Sequence, residues 1–263
     1  DGRILVNGEL SKPKDNVYEN DEIEINPDEE KKVSWKAQKI NFDIHYESDN
    51  FIIINKPSGI AVHGGSGLSF GVIEAMRSDR PQSKYLELVH RLDRETSGCL
   101  MLAKSRSVLI EIQQAMQRNS VEKSYFALVK GQWPKGKSTI NAPLKKNQLS
   151  SGERMVRVDA SGKPSVTHFK VLQRFRDSTL LEINLETGRT HQIRVHCQFS
   201  HQPLAGDDKY GERDFNETMK IHGLRRLFLH ASSLRFKHPL SGELIRVEAP
   251  LPDELNSVLN SLG

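Results

Sequence analysis

The chain has 263 residues, of which 36% are hydrophobic, and its 38 Lys/Arg against 34 Asp/Glu give a formal net charge of +4. Its purely apolar runs, such as Phe51–Ile54, are a few residues long, far from the ~20 that a membrane-spanning helix requires. The two cysteines, Cys99 and Cys197, cannot build a disulfide framework or a metal pair and read as small buried hydrophobes in a reducing, cytoplasmic setting.

The opening residues show no basic-then-apolar leader, and their lack of a Met reads as an upstream segment trimmed away. Arg3–Val6 alternates into Asn7-Gly8, a hairpin signal, and Glu22–Ile25 alternates again. Residues 1–27 are too few to bury a core alone. Residues 28–41 are charged, lack apolar periodicity and read as a linker. Residues 1–41 hold 7 Lys/Arg against 10 Asp/Glu, and residues 42–263 hold 31 against 24. The basic character therefore belongs to the larger part and points to a polyanionic partner.

From Phe42 the texture changes. Phe51–Asn55 is a buried-strand run stopped by Lys56-Pro57-Ser58-Gly59. A Gly/Ser-rich loop, His63–Gly67, leads into a short helix around Phe70–Arg77. Leu86–Val89 and Cys99–Ala103 read as strands flanking a polar turn. Ser105 caps a helix running to Asn119, with Val108, Ile112, Ala115 and Met116 near one face. Strands are predicted at Lys123–Lys130, Thr167–Gln173, Thr179–Leu185, Leu227–Phe236 and Leu244–Val247, and a last helix begins at Pro252. Strands in runs with helices at intervals predict an α+β domain over residues 42–263, on a mixed or mostly antiparallel sheet with flanking helices.

Several familiar motifs fail. The glycines at 65, 67 and 71 miss G-x-G-x-x-G by one residue, and Ser161-Gly162-Lys163-Pro164 has Arg157 where a Walker loop needs its first Gly. His191 and His196, five apart, fall on different faces of either a helix or a strand and make a poor metal pair. No cofactor and no metal are expected.

What remains is polar and concentrated. His90–Gly98 (HRLDRETSG) crowds two Arg, two acids, a His and two hydroxyls between buried strands, so it must form a loop at a sheet edge. Thr187–His196 is a second such cluster, and Tyr125 sits within a third strand. With Asn55–Gly59 as a first motif, His90–Gly98 as a second, Tyr125 between and Gly188–Arg194 (GRTHQIR) as a third, the chain from about residue 42 onward resembles the pseudouridine synthases, in the family named after ribosomal large subunit synthase A. Residues 1–27 resemble the second half of an S4-type RNA-binding domain. His63–Ser69 and Lys146–Val158 most resemble the subgroup acting on several uridines of 23S ribosomal RNA.

The resemblance implies cofactor-free isomerisation: the N1–C1′ bond of a uridine breaks, the uracil turns, and it rejoins through C5. Asp93 is then the catalytic carboxylate beside C1′, where breaking the glycosidic bond builds positive charge. Arg194 is its guanidinium partner, and Tyr125 stacks on the uracil and helps remove the C5 proton. Ile193 is an apolar wall of the slot and His191 a further substrate contact. The target base must be flipped out of the RNA, with Arg91 or its neighbour Arg94 filling the gap or holding the backbone. Lys56, Lys145, Lys146, Arg154 and Arg157 are expected phosphate contacts, the last four on a basic RNA-gripping arm over residues 145–163. The expected partner is 23S rRNA, bound by a monomer with no membrane contact. The competing readings are a non-catalytic RNA-binding or ribosome-assembly factor on the same fold, the same chemistry on tRNA, and a nucleoside or glycoside hydrolase.

Overall fold

The computed structural model describes residues 4–12, 14–25, 40–64, 70–148 and 154–263. The expected linker lies outside the described residues except for residues 40 and 41, as does the 65–69 part of the Gly/Ser loop. Contacts divide the chain into two units, residues 1–36 and 37–263.

The first unit holds strands β1 (Ile4–Val6), β2 (Glu9–Leu10) and β3 (Ile23–Ile25) in an antiparallel sheet of order β2-β1-β3. Asn7 and Gly8, at φ 54° and 82°, make the tight turn between β1 and β2.

The second unit runs β4 (Asp43–Glu47), β5 (Phe51–Lys56), α1 (Val72–Asp79), β6 (Glu87–Leu88), β7 (Ser97–Ala103), α2 (Arg106–Gln117), β8 (Glu122–Lys130) and β9 (Thr139–Asn141). It continues with β10 (Leu144–Gln148), β11 (Arg154–Val158), β12 (Val166–Arg174), β13 (Ser178–Leu185), α3 (Gln192–Phe199), α4 (Arg213–Ile221), β14 (Leu229–Lys237), β15 (Leu244–Glu248) and α5 (Asp253–Leu262). The sheet order is β4-β5-β7-β14-β8-β13-β12-β9, with β15 joined to β14 and β6 to β7. Every pairing is antiparallel except β7 with β14, so the sheet is mixed and mostly antiparallel, as the sequence predicts.

Both faces of the sheet are covered, which accounts for the uninterrupted run in β5. Ile52 and Ile54 face a core shared with Leu100, Leu102, Ala127 and Ile183, while Phe51 and Ile53 face Met101 and the α2 residues Val108 and Ile112. Ser105 caps α2, its Oγ accepting from the Val108 N–H at 3.3 Å. Helices α4 and α5 bury Phe215, Met219, Leu255 and Val258 against Leu128 and Phe228. The sequence reading did not foresee α4, because Phe215 and Met219 are its only buried residues. The parallel join of β7 to β14 requires Gly98: its φ is +108°, and a Cβ there would stand 2.2 Å from the Ala231 carbonyl oxygen.

Candidate active site

The segment His90–Thr96 leaves the sheet between β6 and β7 as a loop, and the turn after β5 fastens it from beneath. The Lys56 ammonium donates to the carbonyls of Pro57, Ile60 and Arg94 at 2.7, 2.9 and 3.0 Å. Ser58 Oγ donates to the Glu95 carbonyl at 2.7 Å, and the Gly59 N–H to the Arg94 carbonyl at 2.9 Å. Lys56 is 0% exposed, so it corrects the expectation of a phosphate contact: all three ammonium protons are used inside the protein. Its burial, only partly offset by Glu95, pulls its pKa down to about 7. Arg94 Nε donates to the Gly59 carbonyl at 2.9 Å and lies 3.6 Å from Glu95, with the side chain 59% exposed, while the cleft beside Asp93 is lined by Arg91.

The Gly188–Arg194 motif forms a turn followed by the start of α3. Gln192 ties the turn down: its Nε2 donates to the Val166 carbonyl and its Oε1 accepts from the Arg189 N–H, both at 2.9 Å. His191 takes a left-handed backbone, φ 54°, which aims its ring at Tyr210 and Asp93. His196 faces the other way, between Thr167 Oγ1 at 2.8 Å and the Ala142 carbonyl at 2.9 Å, and is a core residue.

These two segments and β8 enclose a cleft of about 460 Å³ lined by Arg91, Asp93, Tyr125, His191, Ile193 and Arg194, among others. Asp93 Oδ2 is 3.3 Å from Arg194 Nη1, and its Oδ1 is 3.9 Å from His191 Nε2. Tyr125 and Ile193 are buried walls. Burial, reinforced by the Asp93 charge, raises the Tyr125 pKa.

The fork of Arg194 does not go to Asp93. Its Nε and Nη2 make a bidentate pair with Asp207, both at 2.8 Å, and only Nη1 reaches Asp93. Asp207 was absent from the sequence reading. Its carboxylate also accepts the N–H groups of Lys209 and Tyr210, both at 2.9 Å. Burial opposes both charges, but the pair outweighs it, holding Asp207 below and Arg194 above their ordinary pKa values. The guanidinium lies 5.0 Å from the Tyr210 ring centre, a cation–π distance. The signal was an acidic pair after Gly206, in a segment with no periodicity, and nothing in it names Arg194 as partner.

The arm is an antiparallel hairpin of β10 and β11, with Lys145 opposite Arg157. The Val156 N–H donates to Tyr210 Oη at 3.0 Å and His191 Nδ1 stands 2.8 Å from the same oxygen, which joins the hairpin to the cleft. Lys145 and Lys146 line a second cavity of about 410 Å³ with Lys163 and Arg189, and the Gly188–Thr190 turn borders both cavities. Arg157 is exposed and pairs with Asp159 at 3.1 Å. The Arg154 side chain lies outside what is described.

A mixed sheet carrying a carboxylate, a tyrosine and a buried Arg–Asp pair around one cleft, with a basic cavity beside it, suits an enzyme that works on a nucleic-acid base. The chain belongs to the RNA pseudouridylate synthases, whose family model matches residues 50–199. It is 49% identical to ribosomal large subunit pseudouridine synthase C of Pasteurella multocida over 269 residues, covering 99% of this chain and 82% of that protein. With the Escherichia coli K12 protein of the same name the identity is also 49%, over 99% of this chain and 85% of the relative. Among solved structures it is similar to human RNA pseudouridylate synthase domain containing 1, with a TM-score of 0.67 and 28% identity over 81% of this chain and 84% of that one. The protein is therefore an RNA pseudouridine synthase, an isomerase acting on RNA.

Proposed function

We propose that this enzyme converts specific uridines of large-subunit ribosomal RNA, in particular 23S, to pseudouridine, with Asp93 as its catalytic carboxylate. The convergence of Asp93, Tyr125 and Arg194 on one cleft carries the catalytic assignment; the choice of RNA is supported by near-full-length similarity to relatives named for the large subunit. A flipped uridine would place its ribose beside Asp93, whose charge answers the positive charge that develops at C1′ as the N1–C1′ bond breaks. The freed uracil turns between the Tyr125 ring and Ile193, C5 bonds to C1′ in place of N1, and the proton then lost from C5 is balanced by the one that N1 takes up. The Tyr125 ring stacks on the uracil and its hydroxyl helps remove the C5 proton. Arg194, fixed by Asp207, presents one Nη1–H to Asp93. Flipping leaves a gap in the RNA that Arg91, exposed on the cleft, is placed to fill. Lys145, Lys146, Arg154 and Arg157 act as phosphate contacts of the arm, and His191 as a substrate contact.

Asp93→Asn keeps the volume and removes the charge. Tritium release from uracil-5-tritiated rRNA should fall below detection while RNA binding and folding persist, and substantial residual release would overturn the role of Asp93. Mapping pseudouridines in large-subunit rRNA from cells lacking the gene tests the substrate: sites should disappear, and retention of every site sends the chemistry to another RNA.

A further inference from the structure

Lys123 is a buried cation that the site as described leaves unused. It stands on β8 two residues before Tyr125, so both side chains leave the same face of the strand. It lines the same cleft, as do Arg91, Gln117 and Asn119. Only 8% of it is exposed, and among the described residues its ammonium has no hydrogen bond and no ion pair. The other cations held inside are satisfied: Lys56 by three carbonyls, Arg194 by Asp207 and Asp93, and Arg226 by Glu254 at 2.6 Å.

The stem of Lys123 is covered while its ammonium keeps access to the cleft, so its donors face whatever enters there with no acceptor of the protein's own. Burial lowers its pKa, and no carboxylate works in the other direction. RNA brings one anionic group per nucleotide, its phosphate, whereas the uracil arrives neutral. A lysine ammonium, a compact charge with three donors, suits a phosphate oxygen.

We propose that Lys123 receives a backbone phosphate adjoining the flipped uridine, and so seats the RNA strand in the cleft. The proposal rests on the reading that a target uridine enters beside Asp93 and Tyr125.

The experiment compares wild type with Lys123→Met, on rRNA fragments carrying a neutral methylphosphonate at one linkage at a time around the target uridine. Lys123→Met should raise KM roughly ten- to hundredfold, the range for a hydrogen bond to a charged group, with a smaller loss in kcat. The slope of log affinity against log salt should become shallower by about one unit. One methylphosphonate position should cost the wild type a similar factor and cost Lys123→Met nothing further, because the two changes remove the same contact. Since no internal partner is lost, Lys123→Met should melt no lower than wild type. Three results overturn the proposal: KM and salt slope unchanged, a loss confined to kcat (which moves Lys123 to the uracil), or a variant that melts well below wild type or does not fold. A wild type that modifies none of the fragments refutes the underlying function instead, so the two failures are distinguishable.

Discussion

Replacing Asp207 by Asn tests whether Arg194 depends on a partner that the motif does not contain. The Asp207 side chain is 0% exposed and its two oxygens accept four hydrogen bonds, from Arg194 Nε and Nη2 and from the N–H groups of Lys209 and Tyr210. An asparagine oxygen placed at Oδ1 retains three of them. Its NH2 then faces Arg194 Nε–H, two donors at an acceptor's distance. The larger effect is the lost charge, which leaves Arg194 buried with Asp93 as its one carboxylate, 3.3 Å from Nη1. Removing one partner of a buried pair costs about 3–5 kcal/mol, and the remaining attraction of Asp93 places the expected loss near about 3 kcal/mol. Against a total of ~5–15 kcal/mol the variant still folds.

The function should suffer more than the stability. With its fork released, Arg194 can swing onto Asp93 and engage the carboxylate that the ribose needs. We expect kcat to fall at least about tenfold, since a displacement near 1 Å can cost on the order of a hundredfold, while KM changes less. Urea titrations give the stability and single-turnover tritium release gives the rate. The sign with pH follows from the lowered Asp207 pKa: its contribution is complete above the ordinary value of about 3.9 and disappears as pH falls through the folded value. The stability gap between wild type and Asp207→Asn should thus be constant from neutral pH down to about 5 and close below about 4. A stability loss under about 1 kcal/mol together with an unchanged kcat would show that Asp207 does not hold Arg194.

Replacing Lys145, Lys146 and Arg157 together by Gln should weaken rRNA binding at low salt and make the salt slope shallower by roughly two units, at about 0.7–0.9 per phosphate lost; an unchanged slope moves the RNA grip away from the hairpin. His230 is fully buried between Ser97 Oγ at 2.8 Å and the Ala249 carbonyl at 3.0 Å, and burial holds its pKa at about 4. The unfolded chain binds that proton near pH 6.5, so stability should be lost as pH falls from about 6.5 to about 4, by roughly 3 kcal/mol from this residue. His230→Gln should make the fall across that window shallower in urea midpoints, with the buried His90 still contributing over the same range, and an identical pH profile in the variant would refute the assignment.

The polar loops were legible because their neighbours leave no alternative: Phe51–Ile54 and Cys99–Ala103 are buried on both faces, so the charges of His90–Glu95 must leave the sheet between them. Acceptor accounting was not legible. Lys56, Arg94, Arg194 and Lys123 look alike in sequence, each a cation within or beside a motif. Lys56 is consumed by carbonyls from two loops and Arg194 by an aspartate 13 residues away, whereas Arg94 gives only its Nε to the Gly59 carbonyl and stays more than half exposed. Each of those acceptors is supplied by the fold, so no spacing rule separates a strut from an RNA contact. Among the described residues, Arg91, Lys123 and Lys146 have no internal acceptor, and all three line one of the two cavities. A cation left unpaired in the free enzyme keeps its donors for the RNA, whereas one already saturated can only hold the site in shape. The same accounting explains why neutralising Lys56 should act through folding and neutralising Lys146 through salt-dependent binding, although sequence alone gives both the same role.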